Sequence, residues 1–160
     1  MLHLAQRILF AIAVGLAVSA CSATGSHNAY VDANEPTSWF GKDRHDPVEI
    51  GKLQYRKNNF GLAEKNFREA VEAAPDNAEA WLGLAASYDQ LGRFDLADRA
   101  YDEAEKIKGP LPVILNNRGY SYYLRGDVKK ARKALQRAAS GAPENQHIQG
   151  NIDLLNRSAG

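Results

Sequence analysis

The chain has 160 residues, of which 44% are hydrophobic and 24% charged, so its composition is that of one folded domain and excludes a disordered or fibrous protein. Its formal net charge is +1, and of its 20 Lys and Arg residues only Arg7 precedes Cys21, which leaves 19 basic against 19 acidic side chains beyond that point. This balance excludes a general polycation, so we expect no nucleic-acid partner, and a single cysteine excludes both an internal disulfide and a thiolate metal site.

The first predicted element is a signal peptide over residues 1–20. Residues 8–20 form a charge-free apolar run that follows one cation and ends in small side chains, which is typical of secretory signals. The letters VSAC at residues 18–21 resemble the lipobox of bacterial lipoproteins, in which the cysteine is diacylated before cleavage. The resemblance implies lipidation of Cys21 and attachment to a membrane through that lipid anchor.

Two alternatives to this interpretation remain open. The apolar run is shorter than the roughly 20 residues of a spanning helix, but residues 2–6 could extend it into an uncleaved anchor. An ordinary signal peptidase could also cleave after Ala20 and leave Cys21 incidental. Ser22 resembles a signal for sorting to the outer membrane, so we expect a lipid-anchored protein of the bacterial cell envelope, in the outer membrane and facing the periplasm.

A flexible tether is predicted over residues 21–44, from the lipidated cysteine to the folded domain. This segment is rich in small and polar residues and shows neither helical nor strand periodicity. A flexible coil of this length spans on the order of 25 Å, which would lift a domain clear of lipid headgroups. Trp39 and Phe40 depart from this composition, and they could either dock on the first helix pair as a lid or anchor a binding partner.

A repeat of 34 residues organises the rest of the chain. Small side chains recur at this spacing in three sets, which are Gly51, Ala85 and Gly119, then Ala63, Ala97 and Ala131, then Ala70, Ala104 and Ala138. Two helices can approach closely only where one side chain is small, and Gly119 is expected to lie opposite Ala131. Apolar residues within each half-unit recur at spacings of three and four, so each unit is predicted to be a pair of amphipathic helices.

Turn residues separate each predicted helix from the next. Each unit ends in a helix-stopping residue, at Pro75, Gly109-Pro110 and Pro143. The turn within each unit is marked by Asn58, Gly92 or Gly126. Glycine and asparagine are the residues that best tolerate a left-handed backbone at a helix end, so we expect that conformation at all three positions.

These residues match the tetratricopeptide repeat family over about residues 44 to 143. The letters WLGLAASYDQLGRFDLADRAYDEA form a nearly complete repeat, whereas Gln54 stands where an aromatic residue is usual and Arg118 where a large apolar one is usual. The resemblance implies an all-α fold, a right-handed superhelical stack of three helix hairpins within residues 45–158. The predicted repeats are residues 44–77, 78–111 and 112–145, and an apolar stripe at Ile148, Ile152 and Leu155 predicts a capping helix over 146–157.

The resemblance also implies a concave groove, lined by the first helix of each repeat, that holds a protein or peptide ligand. Placing this sequence on the family pattern puts ten residues on the inner face, which are Lys52, Tyr55, Arg56, Leu82, Ala86, Asp89, Gln90, Asn116, Tyr120 and Tyr123. The tyrosines would supply contact area and Asn116 could bond a peptide backbone, although packing of each tyrosine on a neighbouring helix is an open alternative. The lysine and asparagine clamp of chaperone-binding members is not expected, because Val48 and Ala86 are apolar where that clamp needs polar groups.

Charge is uneven on the second helices of the repeats. Residues 95–106 hold five acids and two bases, whereas residues 127–138 hold five bases and one acid. A solvated surface explains such charges, and the alternative is a docking patch for an acidic partner or lipid headgroups that weakens with salt. We expect no enzyme, metal or cofactor, because the histidines lack metal-ligand spacing and no catalytic or phosphate-binding motif occurs.

The signal, the tether and the repeats together resemble the small tetratricopeptide lipoproteins of tight-adherence (Flp-type) pilus assembly systems. The phrases LGLAASYDQLGRFDLADRAYDEA and ILNNRGYSYYLRGD carry this resemblance. It implies a protein that assists assembly or outer-membrane placement of a pilus secretion channel, with a secretin or pilus assembly component in its groove. Two alternatives are an envelope adaptor that recruits cell-wall enzymes and a subunit of an outer-membrane protein assembly machine.

Overall fold

Seven helices, joined in pairs by short turns, fill residues 46–158, the part of the chain that the computed structural model describes. They are α1 (Pro47–Arg56), α2 (Phe60–Ala73), α3 (Ala78–Gln90), α4 (Phe94–Lys108), α5 (Pro112–Leu124), α6 (Val128–Gly141) and α7 (Gln146–Ser158). The hairpins α1–α2, α3–α4 and α5–α6 pack in order, and α7 packs on α5 and α6. The predicted all-α stack of three hairpins and a capping helix is therefore confirmed. None of the seven helices is long and apolar enough to cross a membrane.

Side-chain caps begin several of these helices. Asp46 precedes α1 and its carboxylate accepts a hydrogen bond from the backbone N–H of Val48 at 2.9 Å. Asn77 precedes α3 and accepts from the backbone N–H groups of Glu79 and Ala80 at 3.0 and 3.1 Å. The first N–H groups of a helix have no partner within it, so each cap satisfies donors that the fold would otherwise leave unpaired.

The chain reverses within each hairpin through one residue with a left-handed backbone. Asn58 has a φ angle of 59°, Gly92 of 70° and Gly126 of 77°. Glycine adopts this conformation without steric cost, and asparagine is among the side chains that tolerate it best. The turns predicted at these three positions are confirmed.

One aromatic ring is held between two glycines where the first two hairpins meet. Phe67 on α2 is fully buried, and a Cβ atom added to Gly51 on α1 would lie 2.9 Å from its ring. A Cβ atom added to Gly83 on α3 would lie closer still, with three ring carbons of Phe67 as its nearest neighbours. Both glycines therefore allow a helix to approach a ring that a larger side chain would displace.

The close approach in the third hairpin differs from the predicted one. Gly119 on α5 is buried, as are its counterparts Gly51 and Ala85. A Cβ atom added to Gly119 would meet Leu135, with its Cγ at 2.7 Å and its backbone nitrogen at 3.3 Å. The prediction that Gly119 lies opposite Ala131 is therefore wrong by one turn of α6, because the three atoms nearest to the added Cβ all belong to Leu135.

The apolar core has one large and two small parts. The large cluster runs through α1 to α4 and takes in Ile114 from α5. The small clusters join α5, α6 and α7, one around Leu115 and Ile148 and the other around Leu135 and Leu155. The predicted apolar stripe of the capping helix thus packs on the last hairpin, with Ile148 and Leu155 each 1% exposed.

The helices form two layers of unequal spacing. In one layer α1 contacts α3, α3 contacts α5, and α5 contacts α7. In the other, within residues 46–158, α2 does not contact α4 and α4 does not contact α6. Helices that are close in one layer and apart in the other make the stack curve, so α1, α3 and α5 lie on its concave side.

Candidate peptide-binding groove

The concave layer carries all ten residues predicted to line the groove, but half of them are covered. The buried five are Tyr55, Leu82, Ala86, Asp89 and Asn116, each at most 6% exposed. The five that solvent reaches are Lys52, Arg56, Gln90, Tyr120 and Tyr123. The surface available to a ligand is therefore narrower than the sequence predicts, with cations toward the first hairpin and tyrosines on the third.

The cationic end is built around Lys52 on α1. Its ammonium group donates to the carboxylate of Glu49 at 3.0 Å and also pairs with Glu79 on α3. Burial alone would lower the pKa of Lys52, but the bonds to Glu79 and Glu49 raise it above the ordinary value. Arg56 is exposed one helical turn further along α1. Glu79 was not among the predicted groove residues, although it lies three residues before Leu82 and hence on the same face of α3.

The aromatic end consists of two stacked rings on α5. The ring centroids of Tyr120 and Tyr123 are 5.9 Å apart at an interplanar angle of 30°, and both side chains are half-buried. Gln90 on α3 lies between Tyr55 on α1 and Tyr120 on α5, and its side chain acts to lower the pKa of both phenols. Burial raises the pKa of Tyr120 above its ordinary value, so the phenol is neutral and can donate a hydrogen bond.

Packing on neighbouring helices, the alternative left open for the tyrosines, accounts for one of them fully and another partly. Tyr55 is 2% exposed and meets Phe60 edge to face with ring centroids 5.2 Å apart. Tyr123 packs against the cluster around Leu135 while it keeps an accessible surface. Tyr120 is thus the aromatic side chain best placed to meet a ligand.

Asp89 belongs to a buried network and not to the groove surface. It is 4% exposed, and its carboxylate accepts from the Tyr101 hydroxyl at 2.8 Å and from the Ser121 hydroxyl at 2.6 Å. Burial raises the pKa of Asp89 to about 6, although both hydrogen bonds favour the charged form. The prediction that Asp89 meets a ligand is corrected, because one of its oxygen atoms accepts from Tyr101 in the same repeat and the other from Ser121 in the third repeat.

Arg125 extends this network at the end of α5. Its guanidinium donates to both carboxylate oxygens of Asp98 on α4, at 2.8 and 3.1 Å, and to the Ser121 hydroxyl at 2.6 Å. It also lies 4.9 Å from the centroid of the Phe94 ring and 5.1 Å from that of Tyr122. Such paired and stacked contacts suit the planar guanidinium. Arg125 was not among the predicted residues, because Asp98, the acid with which it pairs, lies on the preceding repeat.

Arg118 shows why the third repeat departs from the family pattern. Its guanidinium donates to Asp102 at 2.6 Å and to Glu105 at 2.9 Å, two acids of α4 spaced three residues apart. Burial alone would lower the pKa of Arg118, but the bond to Asp102 contributes to a net rise. A cation in place of an apolar residue therefore joins repeats two and three through ion pairs.

The capping helix bonds the side chain of Asn116, which was predicted to bond a peptide backbone. Asn116 is 2% exposed, and its side-chain oxygen accepts a hydrogen bond from Asn151 Nδ2 on α7 at 2.9 Å. The predicted ligand contact is therefore corrected to a contact within the chain. A lone asparagine in the sequence gives no signal for this, because its partner lies 35 residues away.

Three further predictions concern the carboxylate clamp, a metal site and the N-terminal segment. Val48 and Ala86 are 6% and 5% exposed, so the places where a carboxylate clamp needs polar groups hold buried apolar side chains. Within residues 46–158, no group of three His, Cys, Asp or Glu side chains could hold a metal ion. Cys21, Trp39 and Phe40 lie outside the described residues.

Comparison with known proteins places this architecture among repeat proteins. The model of the tetratricopeptide repeat family matches residues 48–112 and 87–146. The type IV pilus assembly protein PilF of Pseudomonas aeruginosa is 26% identical over 152 residues, which are 92% of this chain and 57% of that protein. The protein CTR9 homolog of Arabidopsis thaliana is 31% identical over 127 residues, 78% of this chain and 11% of that protein. The chain thus spans only 11% and 57% of the length of these two curated relatives.

Solved structures share the fold. The tetratricopeptide protein TTC0263 of Thermus thermophilus superposes with a TM-score of 0.67 at 19% identity, over 78% of this chain and 69% of that one. Pseudomonas aeruginosa PilF superposes with a TM-score of 0.62 at 24% identity, over 71% and 52%. The first repeat domain of Spaghetti, bound to the HSP90 peptide SRMEEVD, gives 0.61 at 16% identity, over 73% and 95%. At these identities the likeness shows the fold alone.

Proposed function

Because the chain belongs to the tetratricopeptide repeat family and is a protein-binding scaffold, we propose that it is lipid-anchored and assists assembly or outer-membrane placement of a tight-adherence (Flp-type) pilus secretion channel. The partner in this proposal is a secretin or another pilus assembly component. The protein would act from the periplasmic side of the outer membrane, held there by acyl chains on Cys21.

The observation that carries this proposal is the similarity to PilF, a type IV pilus assembly protein, over 92% of this chain. The lipobox letters VSAC at residues 18–21 and the polar segment that follows support an anchored version of such a protein. Two or three acyl chains would hold it stably, since one chain binds a membrane only marginally.

The groove supports binding of a peptide segment of the partner. The accessible rings of Tyr120 and Tyr123 provide rigid contact area with little loss of side-chain entropy, and Arg56 offers an exposed cation about two helices away. An extended or helical segment that pairs an apolar side chain with an acidic one would fit both ends.

Site-directed crosslinking in intact cells tests the proposed partner. A photoreactive residue at Tyr120 should capture secretin or pilus components, whereas the same residue at Arg99, exposed on the convex helix α4, should not. Deletion of the pilus channel genes should remove the crosslinked product. A product dominated by a cell-wall hydrolase, or by the outer-membrane protein insertion machine, would show that one of the alternative assignments is the right one.

Metabolic labelling tests the proposed anchor separately. A palmitate analogue should label the wild-type chain and leave Cys21→Ser unlabelled, and the variant should leave the outer-membrane fraction. Equal labelling of both proteins, or unchanged fractionation of the variant, would contradict anchoring at Cys21.

A further inference from the structure

A basic hollow lies on the convex side of the stack, between α4 and α6, two helices that do not contact each other within residues 46–158. Helix α5 forms its floor. Its volume is about 400 Å³, which is within the range of ligand-binding sites. The charged side chains that line it are one acid and four cations, Glu105, Arg118, Lys130, Lys133 and Arg137. The composition of this lining favours an anionic ligand.

The one acid in the lining is already paired. Glu105 accepts a hydrogen bond from Arg118 at 2.9 Å, and the same guanidinium donates to Asp102 at 2.6 Å. Two carboxylates of α4 therefore share the one cation in the floor. Arg118 is not available to a ligand, so the cations that a ligand would meet are those of α6.

Two of the three cations that α6 contributes are unpaired in the part of the chain that the structure describes. Lys133 and Arg137 are exposed, and neither makes an ion pair within residues 46–158. Lys130 pairs with Asp127 at 2.9 Å and remains 64% exposed. The three cations are spaced by three and four residues, so they share one face of α6 and repel each other. Carboxylates of a ligand would relieve this repulsion.

This basic row belongs to the third repeat alone. At the repeat of 34 residues, its three positions hold an apolar residue, a base and an acid in both earlier repeats. The counterparts of Lys130, Lys133 and Arg137 are Leu62, Lys65 and Glu69 in the first repeat and Leu96, Arg99 and Glu103 in the second. A base and an acid four residues apart on a helix attract each other, so the earlier repeats balance this face by themselves. The third repeat has cations in place of both the apolar residue and the acid, a change that the repeat fold does not require.

We propose that this hollow is a second protein-binding site, on the opposite side of the stack from the groove, and that it takes an acidic peptide segment. In an extended peptide, alternate side chains point the same way and are about 6 to 7 Å apart. Lys133 and Arg137 are four residues apart on a helix, which corresponds to about 6 Å. Two acidic side chains at alternate positions of the peptide therefore each meet one cation. The chain would then hold two partners at once, one in the groove and one on the convex side.

A short protein segment suits the hollow better than a nucleic acid or a lipid surface does. The row from Lys130 to Arg137 extends over only about 10 Å, and Asp102 and Glu105 border it on the α4 side. A row of phosphates longer than this would meet those acids. The chain beyond Arg7 has 19 basic and 19 acidic side chains, so it gives a large polyanion no general attraction.

Fluorescence anisotropy tests the inference with the full chain in a nonionic detergent. The probe is a short fluorescent peptide with two glutamates at alternate positions, and the same peptide with glutamines in their place is the neutral control. The acidic peptide should bind at least about tenfold more tightly than the neutral one. Its binding should weaken as the salt concentration rises from about 0.05 to 0.5 M, because the rim cations are exposed.

Charge reversal locates the binding site. The variant K133E/R137E should weaken binding of the acidic peptide by about tenfold, and K133Q/R137Q, which removes both charges without adding repulsion, should lie between it and the wild type. The matched control K65E/R99E makes the same change in net charge at the counterparts of Lys133 in the first two repeats. Both control residues are exposed, and this variant should bind within about twofold of the wild type.

The single variant Lys133→Glu separates binding from stability. It introduces an acid four residues before Arg137, which is the favourable order for an ion pair on a helix, so the melting temperature should rise. Binding of the acidic peptide should weaken at the same time. A fall in both quantities would show that Lys133 serves the fold, and it would overturn the proposal.

Equal loss of binding in K133E/R137E and K65E/R99E, or equal binding of the acidic and neutral peptides, would also overturn the proposal. Displacement of the probe by an oligonucleotide or by phosphatidylglycerol vesicles, at a lower concentration than by unlabelled peptide, would overturn it in favour of a phosphate ligand. Crosslinking from Tyr120 reports on the groove alone. Failure of the second site and failure of the pilus assignment are therefore distinguishable.

Discussion

Replacing Gly83 with alanine should destabilise the protein, although alanine is the better helix former. The added methyl group would enter the space of the Phe67 ring, which is buried and held from the other side by Gly51. Helix α3 cannot move away freely from the ring, because it also packs on α4 and α5. The substitution therefore overpacks the junction of the first two hairpins.

The expected magnitude is the difference of two effects. Overpacking a core position costs about 1 to 3 kcal/mol. Alanine in place of glycine in a helix stabilises by about 0.5 to 1 kcal/mol. We therefore expect Gly83→Ala to lower the free energy of unfolding by up to about 2.5 kcal/mol.

Gly61 provides a matched control on the neighbouring helix α2. A Cβ atom added to Gly61 would have nothing within 4 Å, so Gly61→Ala should be neutral or stabilising by up to about 1 kcal/mol. Urea unfolding followed by far-UV circular dichroism measures both variants. The variant Phe67→Leu removes the ring, and in that background the cost of Gly83→Ala should fall by about 1 kcal/mol.

The change in the free energy of unfolding caused by Gly83→Ala tests the close approach of α3 to the ring. A Gly83→Ala protein as stable as Gly61→Ala would refute the close approach of α3 to the Phe67 ring. An equal cost of Gly83→Ala in the wild-type and Phe67→Leu backgrounds would show that the strain lies elsewhere.

Three further predictions concern other parts of the stack. The pKa of Asp89 is raised to about 6 in the folded protein and is about 3.9 in the unfolded chain, so the folded state binds the extra proton between these values. The free energy of unfolding should therefore fall as the pH rises from about 4 to 6. Urea titrations should show that Asp89→Asn removes this dependence on pH. Asn151→Ala leaves the buried oxygen of Asn116 without its donor, so it should destabilise by about 1 to 3 kcal/mol and speed hydrogen exchange in α7 more than in α2, whereas uniform exchange would contradict this. Ala97, at 0% exposure, should tolerate leucine less well than Ala78, at 9%, and equal melting temperatures for the two leucine variants would count against the repeat register.

The fold was predictable from the sequence because the family pattern is carried by local and periodic features. Gly92 and Gly126 mark turns that only a few residue types allow, and the confirmed helix pairs follow from apolar spacing between them. The same period placed Ala97 and Ala131 in the core, where both are 0% exposed.

The groove was predictable only in part, because position in a repeat does not determine whether a side chain is covered. Asp89 and Asn116 occupy inner-face positions, but their oxygen atoms accept hydrogen bonds from Ser121 and Asn151, which come later in the chain. Arg118 gave a visible signal as a departure from the family pattern. Its meaning depends on acids of the preceding helix, and such pairing across repeats is set by tertiary contacts that periodicity does not encode.

The junction between repeats two and three has a mechanical consequence. The large apolar cluster ends at Ile114, and beyond it α4 is held to α5 chiefly by the ion pairs of Arg118 and Arg125. The cationic end of the groove therefore lies on the apolar side of this junction, and the stacked tyrosines lie beyond it on α5. Because ion pairs can exchange partners at less cost than a packed core can be rearranged, a change in the distance between these two recognition elements would be made at this junction, where it would fit the groove to ligands of different length.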